Sequence, residues 1–481
     1  MAPLQVILLL LLIKLPAFTP LGAQASSSAP ATAHGVAIYA SLWVWNIVLV
    51  LWVWRAARRA VRLMHASSGA ASAILTGMER LLSNVRWITI LLTGTYIYLL
   101  YIPDIIESWL APTQLLRHIP LLHETAEVAP AILAWLGFWA AHYFVEDALR
   151  ERTLPYRLAQ ALPAHEMPSL GRYLSMQIRH NFYLLIPLGG EILLEEAAER
   201  LQPTWPRLAD VLAPAGLLLI LLAIPWLITK VWQTQPLQGE LRAKLDAIAR
   251  ENRLRFRETL LWNTHNAVTN AAILGFLPFA RYFLMSDALV EALSDRQIEA
   301  VFSHEVGHGV HHHIWWYLAA FGGGLMAASG VTVLVQHVAL VHHWHALTGD
   351  DAGFLLVMGL LAIFLGLMFP WVMHRFEHQA DWFATRQIGR MIARQPAASS
   401  PFSVASGQMA VAVGGSSGGF LTTDSLTTDH SAGLTTESLT TSHLVGAEVF
   451  ASALDALIEI THRTRTRAGW MHPSINSRIA L

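Results

Sequence analysis

Five consecutive residues, His304-Glu305-Val306-Gly307-His308, combine the residue types of metal-assisted hydrolysis at the spacing that this chemistry needs. On a helix, side chains at i and i+4 share a face. The two imidazoles then stand side by side and can bind one zinc ion. Glu305 lies one residue further round, within reach of a metal-bound water but not itself a ligand. The residues just upstream predict the helix. Ser294-Asp295 are capping types, and Ile298, Val301 and Phe302 follow at helical spacing.

A catalytic zinc takes three protein ligands and keeps a fourth position open. The chain has no cysteine, so the ligands must be His, Asp or Glu, and disulfides are excluded. Candidates for the third position are His311 to His313, His374, Glu377, His378, Asp381 and His472. His374 and His378 repeat the i, i+4 spacing and form a rival pair, so spacing alone leaves the choice open.

The elements that position these residues belong to a membrane protein. Of the 481 residues 54% are hydrophobic and 14% charged, against about 25% charged in soluble domains. The mean hydropathy is +0.43. A net charge of -1 gives no basic excess to suggest nucleic acid as a partner. Residues 1–25 read as a signal peptide or short anchor. Seven spans are expected at 36–54, 87–103, 129–145, 181–194, 211–229, 314–341 and 352–373, the fourth being short and holding Glu191. Arg55, Arg58, Arg59 and Arg62 follow the first span, and Arg150, Arg152 and Arg157 the third. The loop 342–351 has no Lys or Arg. This bias puts the His304–His308 segment, and everything after 373, in the cytoplasm of a multi-pass protein of the cell inner membrane.

Between the fifth and sixth spans lies a polar block, 237–313. It holds an amphipathic helix at 241–253, short strands at 258–263 and 270–275, and a lead-in at 282–293. A further helix opens at 374. The stretch 396–443, with its near-repeat of Leu421–His430 in Leu434–His443, reads as a low-complexity insertion. A helix at 447–461 then precedes His472-Pro473-Ser474-Ile475-Asn476-Ser477-Arg478-Ile479. The expected fold class is an all-α membrane protein of about seven transmembrane helices, with a cytoplasmic zincin-like α+β domain.

The order of these motifs resembles the integral-membrane gluzincin proteases, the type I CAAX prenyl protease and the bacterial protease HtpX. The residues that carry the likeness are His304–His308, then two spans, then Phe376-Glu377-His378-Gln379-Ala380-Asp381, then the His472–Ile479 tail, with Asn270-Ala271 and Gly275 ahead of them. The resemblance implies that Glu377 is the third ligand to a single zinc per chain and that Asp381 orients a ligand histidine. It implies Glu305 as general base, and His472 and Arg478 as donors to a developing oxyanion. It implies that Asn270 and Ala271 form an edge strand that binds extended substrate. The activity implied is endoproteolysis of membrane-anchored proteins or peptides, by CAAX-type processing or quality control. A metal transporter and an inactive scaffold are the alternatives. Ligand candidates at the ends of spans argue against the first, because transport sites lie near the midplane. An intact Glu305 argues against the second.

Overall fold

The computed structural model describes residues 5, 33–66, 71–110, 122–159, 167–266, 268–344, 347–394, 436–461 and 475–479. The membrane part contains α1 (Ala33–Ala66), α2 (Ala71–Tyr98), α3 (Ile102–Leu110), α4 (Leu122–Ala159), α5 (Leu170–Phe182), α6 (Leu185–Leu201) and α7 (Pro206–Val231). A mixed block follows with β1 (Thr234–Pro236), α8 (Gly239–Glu251), β2 (Glu258–Trp262), β3 (Ala271–Leu274), β4 (Tyr282–Ser286), α9 (Asp287–Ala292) and α10 (Asp295–Val310). Helices α11 (His313–Val341) and α12 (Asp350–Ile363) come next. A π-helical turn, Phe364–Met368, joins α12 to α13 (Phe369–Ala393), and α14 (Thr436–Thr461) and α15 (Ile475–Ile479) complete the described chain.

Among the described residues, five helical segments are long and apolar enough to cross a membrane: His34–Ala66, Leu122–Pro155, Pro206–Val231, His313–Val341 and Leu356–Ala393. The pair Ala73–Tyr98 and Ile102–Leu110, bent by 64°, makes a sixth if it is one broken span. The stretch 181–194, expected as a span, is not one helix. The chain breaks between α5 and α6, and α6 has 17 residues with Pro187 and Gly189-Gly190 in its first turns and Glu191, Glu195 and Glu196 further along. Hydropathy saw the leucines but not the break. Residues 6–32 and His472 lie outside the described residues, as does 396–435 of the expected insertion. The rest of that insertion, 436–443, is helical, because α14 begins at Thr436.

The membrane helices bury their own core. Val53 and Ala57 of α1, Val85 of α2, Trp135, Phe138 and Val145 of α4 and Tyr173 of α5 pack together. A side chain at Gly137 would meet Val50 at 2.9 Å, so α4 and α1 touch backbone to side chain there.

The mixed block is organised by a four-stranded sheet of order β1-β2-β4-β3. Strands β2 and β4 pair in parallel, and the outer pairs are antiparallel. Tyr-Phe-Leu-Met-Ser is buried at every position of β4, as a central strand requires. Strand β3 is an edge. Helix α10 lies between the sheet and the helices α13 and α14. Its Phe302 meets Phe283 of β4 with ring centroids 4.5 Å apart. Its Ala300 packs with Ala384 and Ile388 of α13 and Phe450 of α14.

Candidate metal centre

Helix α10 starts where the sequence predicts. The Ser294 hydroxyl accepts from the Gln297 N–H, and the Gln297 side chain accepts from the Ser294 N–H at 3.0 Å, a complete capping box. Ten residues on, His304 and His308 turn to the same face with their Nε2 atoms 3.1 Å apart. Glu377 approaches from α13, its Oε1 3.4 Å from His308 Nε2 and its Oε2 3.8 Å from His304 Nε2. One ligand atom from each of these three residues lies within 4.8 Å of the other two. Donors around a tetrahedral zinc at its usual bond lengths stand about 3.3 Å apart. His374, His378, Asp381, His311 and His313 are outside this group.

A close crossing makes the approach possible. A Cβ at Gly307 would sit 3.2 Å from the Ala380 Cα and 3.2 Å from the Phe383 ring. Glycine in the middle of His304–His308 therefore lets α10 and α13 meet almost backbone to backbone, and Glu377 is one turn from that contact.

The outer nitrogens of both histidines are held. His304 Nδ1 donates to Asp381 Oδ1 at 2.8 Å. Asp381 is fixed in turn by Arg478 of α15, through Nε to Oδ2 at 2.9 Å and Nη2 to Oδ1 at 2.6 Å. The guanidinium lies over the Phe450 ring, 5.8 Å from its centroid, and that ring stacks against His304. Burial opposes the charge on Arg478, but the Asp381 carboxylate outweighs it and raises the arginine above its ordinary pKa. Arg478 thus sits behind His304 and positions it. Both of its carboxylate bonds go to Asp381. The 3.4 Å approach of Arg478 Nη2 to His304 Nδ1 sets two donors side by side and is no hydrogen bond.

His308 has a different support, which sequence reasoning missed. Its Nδ1 is 2.8 Å from His313 Nδ1, and His313 Nε2 is 3.0 Å from Gln379 Oε1. The His313 ring is buried and stacks on Phe376, with centroids 4.4 Å apart and planes 6° off parallel. The side-chain oxygen of Gln379 only accepts, so His313 carries its proton on Nε2 and accepts at Nδ1. His308 then donates from Nδ1 and keeps a lone pair on Nε2. With His304 protonated on Nδ1 for Asp381, two lone pairs and a carboxylate converge on one point. This donor set fits a cation such as zinc, each imidazole held in the metal-binding tautomer. The surplus of acid shows at His308. Burial alone would depress its pKa, but the bond to Glu377 and the charges of Glu305, Glu377 and Asp381 raise it above the ordinary histidine value.

Glu305 is tethered to the sheet. Its Oε2 accepts from the Ile273 N–H of β3 at 3.0 Å. In β3 the Asn270 carbonyl accepts from Ser286 N, so 270, 272 and 274 face β4 and the main-chain groups of Ala271 and Ile273 face outward. The sequence-predicted pair Asn270-Ala271 therefore stands at the start of the edge strand, on the side of the sheet where Glu305 is held.

A profile of peptidase family M48 matches residues 236–480, just over half of the chain. No curated protein matches. Among solved structures, the crystal structure of Ste24p of S. mikatae is similar over 94% of this chain and 99% of that one, at 13% identity and a TM-score of 0.41.

Proposed function

The chain belongs to peptidase family M48, and from that premise we propose that it is a membrane-embedded zinc endopeptidase that cuts membrane-anchored chains at the cytoplasmic face. The peptidases of this family are metalloproteases that use zinc. The observation that carries the reading is the convergence of His304, His308 and Glu377 ligand atoms within 4.8 Å, at the roots of two membrane helices. His308 is followed by α11 within one short turn, and Glu377 lies in the first half of α13.

His304, His308 and Glu377 hold one zinc, with Asp381 and Arg478 fixing the tautomer of His304. When bound, zinc supplies Lewis acidity, which lowers the pKa of a water and polarises the scissile carbonyl. Glu305 takes the proton from the attacking water as the new C–O bond forms. It returns that proton to the departing amine as the C–N bond breaks. Asn270 and Ala271, at the head of the edge strand, align extended substrate by main-chain pairing. His472 donates to the developing oxyanion.

The cytoplasmic orientation is supported by the arginines at the ends of α1 and α4. Arg150 Nη2 of α4 donates to the His265 carbonyl of the mixed block at 3.2 Å, which ties that block to the same arginine-rich end. A substrate held at this depth by a lipid or a spanning helix arrives at a high effective concentration. Prenylated C-terminal peptides and misassembled membrane proteins both meet this description.

The test compares one cleavable sequence in two forms, free in solution and carrying a farnesyl group or a spanning helix. The wild-type protein is expected to cleave the tethered form with the higher kcat/KM. Glu305→Gln should keep its metal and lose activity by about 10²–10⁴-fold. Equal kcat/KM for the two forms defeats membrane delivery, and a wild-type rate from Glu305→Gln defeats the base assignment.

A further inference from the structure

The connection between β3 and β4 ends in an uncharged tip, Gly275-Phe276-Leu277-Pro278-Phe279-Ala280. It is a built feature. Gly275 has φ +86°, and a Cβ there would overlap the Ala280 carbonyl at 2.1 Å, so the turn closes only on glycine. The buried side chain of Arg281 pins its base, donating from Nη2 to the Phe276 carbonyl at 2.9 Å and from Nη1 to the Arg255 carbonyl at 3.0 Å. Pro278–Ala280 form a single 3₁₀ turn at the apex.

Phe279 at this apex is 66% exposed. A lone exposed phenylalanine is ordinary on a soluble surface. The position of this one is not. Among the described residues between α7 and α11, it is the one large apolar side chain that is exposed. It also stands between the roots of those two spans. Leu274, at the end of β3, packs against the buried cluster of Ile228, Leu260, Tyr282 and Leu284, which the last two turns of α7 join through Ile224 and Ile228. Phe276 meets Trp315, the third residue of α11, edge to face with centroids 5.1 Å apart. Trp316 beside it is 60% exposed, as expected of an aromatic at the membrane boundary. The tip therefore lies beside the ends of both helices, next to the aromatic residues Trp315 and Trp316 that open α11.

We propose that the β3–β4 tip is a membrane-inserted wedge, with Phe279 and Pro278 seated among lipid at the head-group boundary beside α7 and α11. The occupant is lipid because the tip is continuous with the lipid-facing ends of two spans, carries no charge, and has its backbone already fixed by Arg281 and Gly275. Little conformational entropy remains to be lost when it is buried. The wedge also sets the depth of the site. Ile273, whose N–H holds Glu305, is three residues before Phe276, about 10 Å along an extended strand. The edge strand thus runs from the lipid surface to the carboxylate of Glu305.

This inference needs the membrane spans but not the peptidase activity, so it is tested without substrate. The chain has no cysteine, and single labels are therefore clean. Phe279→Cys, and independently Pro278→Cys, is labelled with an environment-sensitive fluorophore in the full-length protein and placed in phosphatidylcholine vesicles carrying nitroxide-labelled lipids. Trp316→Cys in α11 and Asp295→Cys at the start of α10 are the references for lipid and for water. The labels at 279 and 278 are expected to emit at short wavelength and to be quenched by the lipid nitroxides to at least half the extent seen at 316. Emission and quenching like those at 295 overturn the proposal. So does a short-wavelength shift without lipid quenching, which would place protein rather than lipid over Phe279.

Discussion

Helix α10 brings two candidate ligands and is specified by its own sequence, whereas α13 brings the third and is specified by its surroundings. The first has a full capping box, Asp295 in its first turn, and an apolar stripe of Ile298, Val301, Phe302 and Val306 that docks on the sheet. The second has no side-chain cap and enters from the π-helical turn Phe364–Met368 as the continuation of a span. Its buried stripe is Glu377, Ala380, Asp381, Ala384 and Ile388, with two acids on the face that a hydropathy pattern would reserve for apolar residues. Those acids are tolerated because each is matched on arrival, Asp381 by Arg478 and His304, Glu377 by the two imidazoles. A buried acid on α13 thus depends on partners distant in sequence, whereas the start and the apolar stripe of α10 are specified within its own segment.

The joint between the two helices is the place to break this arrangement. Gly307→Leu puts a branched side chain where even a Cβ is tight against the α13 backbone. Overpacking of this kind costs about 1–3 kcal/mol or more, and it acts along the direction that separates His308 from Glu377. A loss of zinc affinity of about 100-fold is expected, measured by chelator competition, with the helix content of the protein retained. Affinity within twofold of wild type would show that the crossing does not set the site.

This joint also marks the limit of what the sequence discloses. The pairing of His304 with His308 on one helix face follows from one helical turn of sequence, and strands β2 and β3 follow within one residue of their ends. Glu377 does not follow, because two membrane helices separate it from His308, and spacing offers several acids and histidines of equal standing. Only the resemblance at Phe376–Asp381 singled it out. His313 is legible in the sequence as one of several candidate third ligands but not as the support of His308. It is five residues from His308, a separation that no regular helix brings face to face, and it reaches Nδ1 only because His312 adopts φ 58° and turns the chain. Arg478 was legible as a cation but not as the partner of Asp381, 97 residues away.

The unequal support of the two imidazoles sharpens the comparison. His304 is held by a charged pair contributed by α13 and α15, and His308 by a neutral imidazole at the start of α11. Loss of an outer partner of a zinc histidine typically costs 10–100-fold in metal affinity. Asp381→Asn is expected near the upper end of that range, because it also strands the buried charge of Arg478. His313→Ala is expected near the lower end. Titration of both variants with zinc under chelator control checks the order, and a larger loss in His313→Ala would reverse the roles given to the two supports.

A smaller effect is a dependence of zinc binding on pH. Both histidines must be neutral to bind metal. The pKa of His308 is raised in the metal-free chain by Glu377 and the neighbouring acids, so the proton competes already above the ordinary histidine value of about 6.5. Zinc affinity should therefore fall as the pH is lowered, and begin to do so above that ordinary value. Affinity that holds constant down to pH 6 would contradict the acidic character of the site.

The most direct test of the account is the metal content of two adjacent variants on α13. Purified Glu377→Ala is expected to lose bound zinc, while His378→Ala, one residue further round the same helix, is expected to keep it. Zinc retained by Glu377→Ala and lost by His378→Ala would contradict the assignment of the centre to His304, His308 and Glu377.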